Sequence, residues 1–286
     1  MLTARRGLAA ASVLAALALG ACSAPASDTA ASSTGAAADC STDALQTKAK
    51  GKLTIATDSP AYAPWFVDDE PSNGKGYESA VAYAIADELG FAKDDVVWTK
   101  ATFNSVVQPG DKKFDLDLNQ VSISDKRKKA VDFSSGYYDV RQAVITTKKS
   151  KAAGAKSVAD LADVKLGAQV GTTSYTAIQD QIKPAQDASV FDTNDQAVQA
   201  LKNGQIDALV VDLPTAFYMT AAQLDDGVNV GQLPSTGEGE QFGAVLPKGS
   251  PLTECVSKAV DTLREDGTLE KLQKQWLAGK GAPELS

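Results

Sequence analysis

The chain falls into short runs of apolar residues whose spacing switches repeatedly between two periods. Lys52–Thr57 alternates apolar and polar positions in β-forming residues and predicts a strand. Tyr77–Leu89 carries Val81, Ala84, Ile85 and Leu89 at helical spacing and stops at Gly90. Val96–Trp98 predicts a short strand, Thr102–Gln108 a capped helix ended by Pro109-Gly110, and Phe114–Leu118 and Asp139–Thr147 two further strands. A second series follows: a short helix at Ser157–Leu161, a strand at Lys165–Val170, and a turn at Gly171–Ser174 opening a helix to about Ile182. A helix over Asp195–Lys202 and a strand over Ile206–Val211 come next, the strand running into Asp212 ahead of Pro214. Gln241–Leu246 reads as a last strand, with helices over Leu252–Glu265 and Thr268–Trp276 separated by Gly267. Strand and helix alternate throughout, which predicts an α/β fold of parallel strands covered by helices, in two units that break near 141–149.

The first residues follow another logic. Arg5 and Arg6 precede an apolar stretch, Leu8–Leu19, too short to span a bilayer and suited to the core of a secretory signal. Leu19-Gly20-Ala21-Cys22 then resembles the lipobox of bacterial lipoproteins, which predicts a signal peptide over 1–21 and a lipid on Cys22. An ordinary secretory signal with an incidental cysteine is the alternative. Residues 23–39 are mostly alanine, serine and threonine with no large apolar side chain, so 22–43 is expected to be a tether. That leaves Cys40 and Cys255, which in an oxidising compartment form a disulfide or stay as two free thiols.

Composition narrows the chemistry. Among 286 residues there is no histidine, so triads, Cys-His pairs and histidine-ligated zinc are excluded. The net charge of −8 argues against a nucleic-acid groove.

Four segments carry a resemblance. They are Ile55-Ala56-Thr57-Asp58 followed by Pro64 and Trp65; Gly76-Tyr77-Glu78; Ser122-Ile123-Ser124-Asp125-Lys126-Arg127 leading to Asp132-Phe133-Ser134; and Gly171-Thr172-Thr173-Ser174. Asp207–Asp212 and Phe242–Ser250 support them. In order and spacing the chain resembles the bacterial extracellular solute-binding proteins of family 3, the amino-acid receptors of ABC importers, over about residues 50–278. The resemblance implies a two-lobed periplasmic-binding-protein fold (type II, Venus flytrap) with two hinge strands. Lobe 1 is expected over 44–138 and again over 243–286, lobe 2 over 144–237, and hinges at 139–143 and 238–242. Ligand would sit in the cleft and the lobes would close on it.

The same resemblance implies roles for individual residues. Arg127 matches the carboxylate clamp, a fork suited to a two-oxygen anion; on spacing alone it is a solvated arginine in a basic run. Ser122, where the family more often has threonine, would add a hydroxyl, and Gln120 a backbone carbonyl for the ammonium. Asp212 stands beyond the carboxyl end of a strand, where open α/β sheets bind ligands, and would take the ammonium; a helix N-cap is its other reading. Thr172 and Thr173 would present backbone N–H groups to the carboxylate from lobe 2, or simply cap a helix. Gln169, Asp58, Tyr62 and Phe103 would face the ligand's side chain, although Asp58 also suits a cap of the turn at Ser59-Pro60 and Phe103 a core position.

The function implied is a lipid-anchored receptor on the extracytoplasmic face of the cell membrane. It would bind a free, polar amino acid and deliver it to ABC permease subunits. A monomer is expected, with no metal, cofactor, nucleic acid or catalytic step. A dehydratase of cyclohexadienyl acids, with Asp58 as its acid, and a sensor module are the other classes open to the fold.

Overall fold

The computed structural model describes residues 38–235, 239–277 and 282–286. The signal peptide, Cys22 and most of the tether lie outside the described residues.

Among the described residues, ten strands form two five-stranded sheets. The first contains β1 (Leu53–Thr57), β2 (Val96–Lys100), β3 (Leu116–Asp117), β4 (Val131–Val140) and β10 (Glu240–Pro247), in the order β2-β1-β3-β10-β4. The second contains β5 (Gln142–Thr147), β6 (Leu166–Gln169), β7 (Ser189–Phe191), β8 (Ala208–Asp212) and β9 (Gly227–Gln232), in the order β7-β6-β8-β5-β9. The sheets are mixed, which corrects the expectation of parallel sheets. β1, β2 and β3 run parallel, while β10 is antiparallel to both β3 and β4. β6, β7 and β8 run parallel, while β5 is antiparallel to both β8 and β9. The antiparallel strands are those nearest the two crossings between sheets.

Each sheet buries both faces. In lobe 1, Ile55, Leu116, Phe242 and Leu246 pack with Val81 and Ile85 of α1 (Tyr77–Glu88) and with Val256 and Val260 beyond them. On its other face Ala56, Val121, Phe133 and Val245 pack with Phe103 of α2 (Phe103–Val106). In lobe 2, Val144, Ala168 and Val210 face one core, and Ile145, Leu209 and Val211 the other. The remaining helices are α3 (Asp125–Lys128), α4 (Thr173–Ala177, continuing as a wider turn through Ile182), α5 (Asn194–Lys202), α6 (Leu213–Tyr218), α7 (Thr253–Glu265) and α8 (Thr268–Trp276). The short helices start where the sequence supplies hydroxyls. Thr102, Ser124, Thr172 and Thr193 each accept a hydrogen bond from a first-turn backbone N–H. Gly76, at φ 97°, leads into α1 so close to Trp65 that a Cβ would stand 2.4 Å from its carbonyl oxygen.

The predicted strand Asp139–Thr147 is two strands. The chain passes from lobe 1 to lobe 2 at Arg141, between Val140 and Gln142, and returns between Gln232 and Glu240. A further correction concerns 243–286, expected wholly in lobe 1. Residues 282–286 lie on lobe 2: Gln232 bridges Glu284, Leu285 is buried in the lobe 2 core, and Ser286 accepts from the Val158 N–H. Cys40 and Cys255 are joined in a disulfide across 215 positions, with Cα atoms 5.4 Å apart, fastening the N-terminal segment to α7.

Candidate functional site

One cavity of about 60 Å³ lies between the lobes, lined from both sides. It is built at the carboxyl ends of parallel strands, where side chains and free N–H groups of the following turns converge. β1 delivers Asp58 and β3 delivers Gln120 and Ser122; β6 ends at Gln169 and leads to Thr172 and Thr173; β8 ends at Asp212. With Tyr62, Phe103 and Arg127, all ten residues singled out from the sequence line this cavity.

Arg127 is the only arginine in the lining among the described residues, 8% exposed, on the short helix α3. Its Nη1 donates to the Ser122 carbonyl at 2.7 Å and its Nη2 to the Gly171 carbonyl at 2.9 Å, so the guanidinium touches both lobes. The ring of Phe103 lies 5.3 Å below it, a cation–π arrangement. Burial lowers its pKa, and Glu240 and Asp212 oppose that shift.

Asp212 is half-buried at the cavity wall, and desolvation pushes its carboxyl well above the usual range, with Glu240 adding to the effect. It precedes α6 but makes no side-chain cap there. Its Oδ1 instead accepts from Gln142 Nε2 at 2.8 Å, and the same nitrogen lies 3.0 Å from Glu240 Oε2. Ser174 Oγ donates to Gln142 Oε1 at 2.6 Å and so fixes which way that amide faces. Ser122 Oγ donates to Glu240, and lies 3.3 Å from Thr173 Oγ1 across the cleft. Asp58, Asp212, one arginine and a set of amides and hydroxyls thus line the cavity, with Glu240 hydrogen-bonded to Ser122 and Gln142. This is the complement of a small zwitterion, whose two charges need partners once buried.

Other assignments are more local. Asp58 Oδ1 accepts from the Ser59 N–H at 2.7 Å and Oδ2 from the Phe103 N–H at 3.1 Å, so its turn-capping reading is realised. Thr172 caps α4 through Tyr175 N at 3.2 Å and donates to the Gln169 carbonyl at 2.7 Å. Burial, then Asp195 across the cleft, pushes the Tyr62 hydroxyl up. Gln120 is a non-glycine residue at φ 49°, held there by Glu78, which accepts its backbone N–H at 2.7 Å, its side-chain amide and the Tyr137 hydroxyl.

Sequence reasoning missed Gln142, Glu240, Asn119, Thr57 and Thr215. Thr215 accepts from Trp65 Nε1 at 3.0 Å, a further bond between lobes. The one signal available was position: Thr57 and Asn119 flank residues already chosen. Among the described residues, no cluster of three or more histidine, cysteine, aspartate or glutamate side chains is arranged to hold a metal ion.

Comparison with known proteins agrees with this geometry. A model of the bacterial extracellular solute-binding proteins, family 3, matches residues 53–279. The probable histidine-binding protein of Campylobacter jejuni is 31% identical over 220 residues, covering 76% of this chain and 82% of that protein. The L-cystine-binding protein TcyJ of Escherichia coli (strain K12) is 28% identical over 231 residues, covering 80% and 84%. A solved structure of an ancestral arginine-binding protein bound to arginine superposes with a TM-score of 0.65 at 32% identity, covering 80% of this chain and 99% of that one. The match over most of the folded chain makes this protein a member of the bacterial extracellular solute-binding proteins of family 3.

Proposed function

We propose that this protein, a binding and delivery component for an amino-acid ABC importer by family, holds its ligand in the interlobe cavity with Arg127 on the carboxylate and Asp212 on the ammonium. The observation that carries the reading is the placement of a buried guanidinium from lobe 1 and a half-buried carboxylate from lobe 2 in the lining of one cavity. Ser122, Thr172 and Thr173 add contacts to the carboxylate, Gln120 to the ammonium, and Asp58, Tyr62, Phe103 and Gln169 surround the side chain. The lobes part to admit a ligand and close on it without chemistry. Contacts made from both lobes give the closed form its higher affinity, which is what lets ligand shift the population.

The chain acts outside the cytoplasm, as its family does. The finer reading is a monomer held on the membrane by lipid at Cys22. A Cys22→Ser variant would then leave the membrane fraction, and unchanged membrane association would remove the anchor.

The relatives' names point to histidine, cystine and arginine, so the ligand is sought in a panel: the twenty amino acids, cystine and ornithine, with prephenate as the test of the dehydratase reading. A ligand at 100 times its Kd adds about 2.7 kcal/mol of stability, roughly 5–10 °C in Tm for a chain of this size. A shift with one or a few amino acids supports the proposal. A shift with prephenate alone overturns it.

A further inference from the structure

Several polar groups lining the cavity already have partners: Asp58, Thr172, Ser174, Ser122 and Thr215 each make at least one side-chain hydrogen bond within the protein. Two buried atoms have none. Asn119 Nδ2 and Thr57 Oγ1 are buried with no hydrogen-bond partner among the described residues, in side chains 7% and 2% exposed. Both belong to residues that line the cavity. They stand side by side at the ends of two adjacent parallel strands, tied by the Leu118 N–H to Ala56 carbonyl bond at 3.1 Å. Leaving a buried donor unmet costs about 1–3 kcal/mol. A site that retains such a donor discriminates against ligands that leave it unpaired.

We propose that Asn119, assisted by the Thr57 hydroxyl, reads the ligand's side chain, and that this side chain ends in a hydrogen-bond acceptor. An amide nitrogen only donates. A guanidinium or an ammonium also only donates, and leaves Asn119 unmet. A carboxamide, the second carboxylate of cystine, or an unprotonated imidazole supplies the acceptor. Asp58, on the same wall, favours an end that also carries a donor, as a carboxamide or the distal half of cystine does. The receptor therefore selects acceptor-bearing amino acids over arginine and lysine.

This inference rests on the amino-acid receptor reading, and the test separates the two. Glutamine, cystine, arginine, lysine and norleucine (which has no side-chain acceptor) are titrated calorimetrically into wild type and Asn119→Leu. Wild type is expected to bind glutamine or cystine at least tenfold more tightly than arginine, lysine or norleucine. Asn119→Leu, which removes the unmet donor at similar volume, is expected to melt at or above the wild-type temperature without ligand. It should lose roughly 10- to 100-fold in affinity for the acceptor-bearing ligands only. A wild type that prefers arginine or lysine overturns the inference while leaving the receptor reading intact. So does an Asn119→Leu variant that weakens every ligand equally or none. Binding of no amino acid at all overturns the receptor reading itself. Should Asn119→Leu fail to fold, Thr57→Val gives a second route, with the same selective loss expected.

Discussion

Arg127 of lobe 1 donates to the backbone carbonyl of Gly171 on lobe 2 at 2.9 Å, so the residue we propose for the ligand carboxylate also bridges the two lobes. Truncating one member of a buried charged contact typically costs 2–5 kcal/mol or more. Arg127→Ala is expected to lower ligand affinity by roughly 100-fold or more, while the ligand-free protein keeps its circular dichroism spectrum. Affinity retained within a few-fold in calorimetry would remove Arg127 from the site.

Glu240 tunes Asp212. The two carboxylates share one amide nitrogen of Gln142, and Glu240 stands second only to burial among the causes that raise the Asp212 pKa. A neutral Asp212 holds an ammonium poorly, so affinity is expected to fall on acidification. Glu240→Gln removes the neighbouring negative charge and lowers the Asp212 pKa, so binding should persist to lower pH than in wild type. Affinities measured from pH 4 to 8 check this; an acid limb that stays put or moves upward in the variant contradicts it.

Glu78 makes a separate pH signature in stability. Burial pushes its carboxyl up to about 7 from 4.5, against the lowering effect of its bonds from Tyr137 and Gln120. Asp117, buried behind it with both oxygens unpartnered among the described residues, is raised too, and Glu78 contributes to that shift. Between about pH 4.5 and 7 the folded state holds the Glu78 proton and the unfolded state has lost it. Stability from this group is therefore present below that window and is lost as pH climbs through it, by about 3 kcal/mol in all. Glu78→Gln keeps an acceptor for Gln120 and cannot ionise. Urea unfolding at pH 5 and pH 7.5 should show a smaller decline in the variant than in wild type.

The disulfide between Cys40 and Cys255 closes a loop of 215 residues' separation. Its removal in a Cys40→Ser/Cys255→Ser double variant is expected to cost about 2–5 kcal/mol. Ligand specificity should be unchanged, since neither residue lines the cavity. A variant as stable as wild type in thermal and urea melts would show that the loop contributes nothing.

The parts of the fold legible in the sequence are those whose signal is local. Periodicity marked α1 and α7, and hydroxyl caps marked the starts of α2 and α4. β4 was not legible, because Ser134-Ser135-Gly136 in its middle reads as a turn. Only the sheet shows that Gly136 lies opposite Gly243, beside a register shift in β10. β9, with Gly227 and Gly231, reads as too poor in β-formers, yet Thr220 and Leu285 pack where side chains at those positions would stand. In the site, Arg127 and Asp212 were legible through the motif frames around them. Gln142, Glu240 and Asn119 were not, since their roles come from partners 70 or more positions away, such as Gln142 with Asp212 and Glu240, or from the lack of any partner, as at Asn119 Nδ2.

The placement of residues 282–286 on lobe 2 has a consequence for taking the molecule apart. Leu285 fills the lobe 2 core, Pro283 and Leu285 exchange backbone hydrogen bonds with Gln232, and Glu284 pairs with Arg141 at the first crossing. The last described stretch before them, at Trp276 and Leu277, packs on lobe 1. The polypeptide thus passes between lobes three times, and lobe 2 is not the product of one contiguous stretch of sequence. A fragment cut at the two β-strand crossings lacks the plug that seals its outer strand and leaves the apolar pocket around Val230 and Leu233 open to water. Grafting this lobe onto a different receptor, or expressing it as a stand-alone half, requires the last five residues to travel with it.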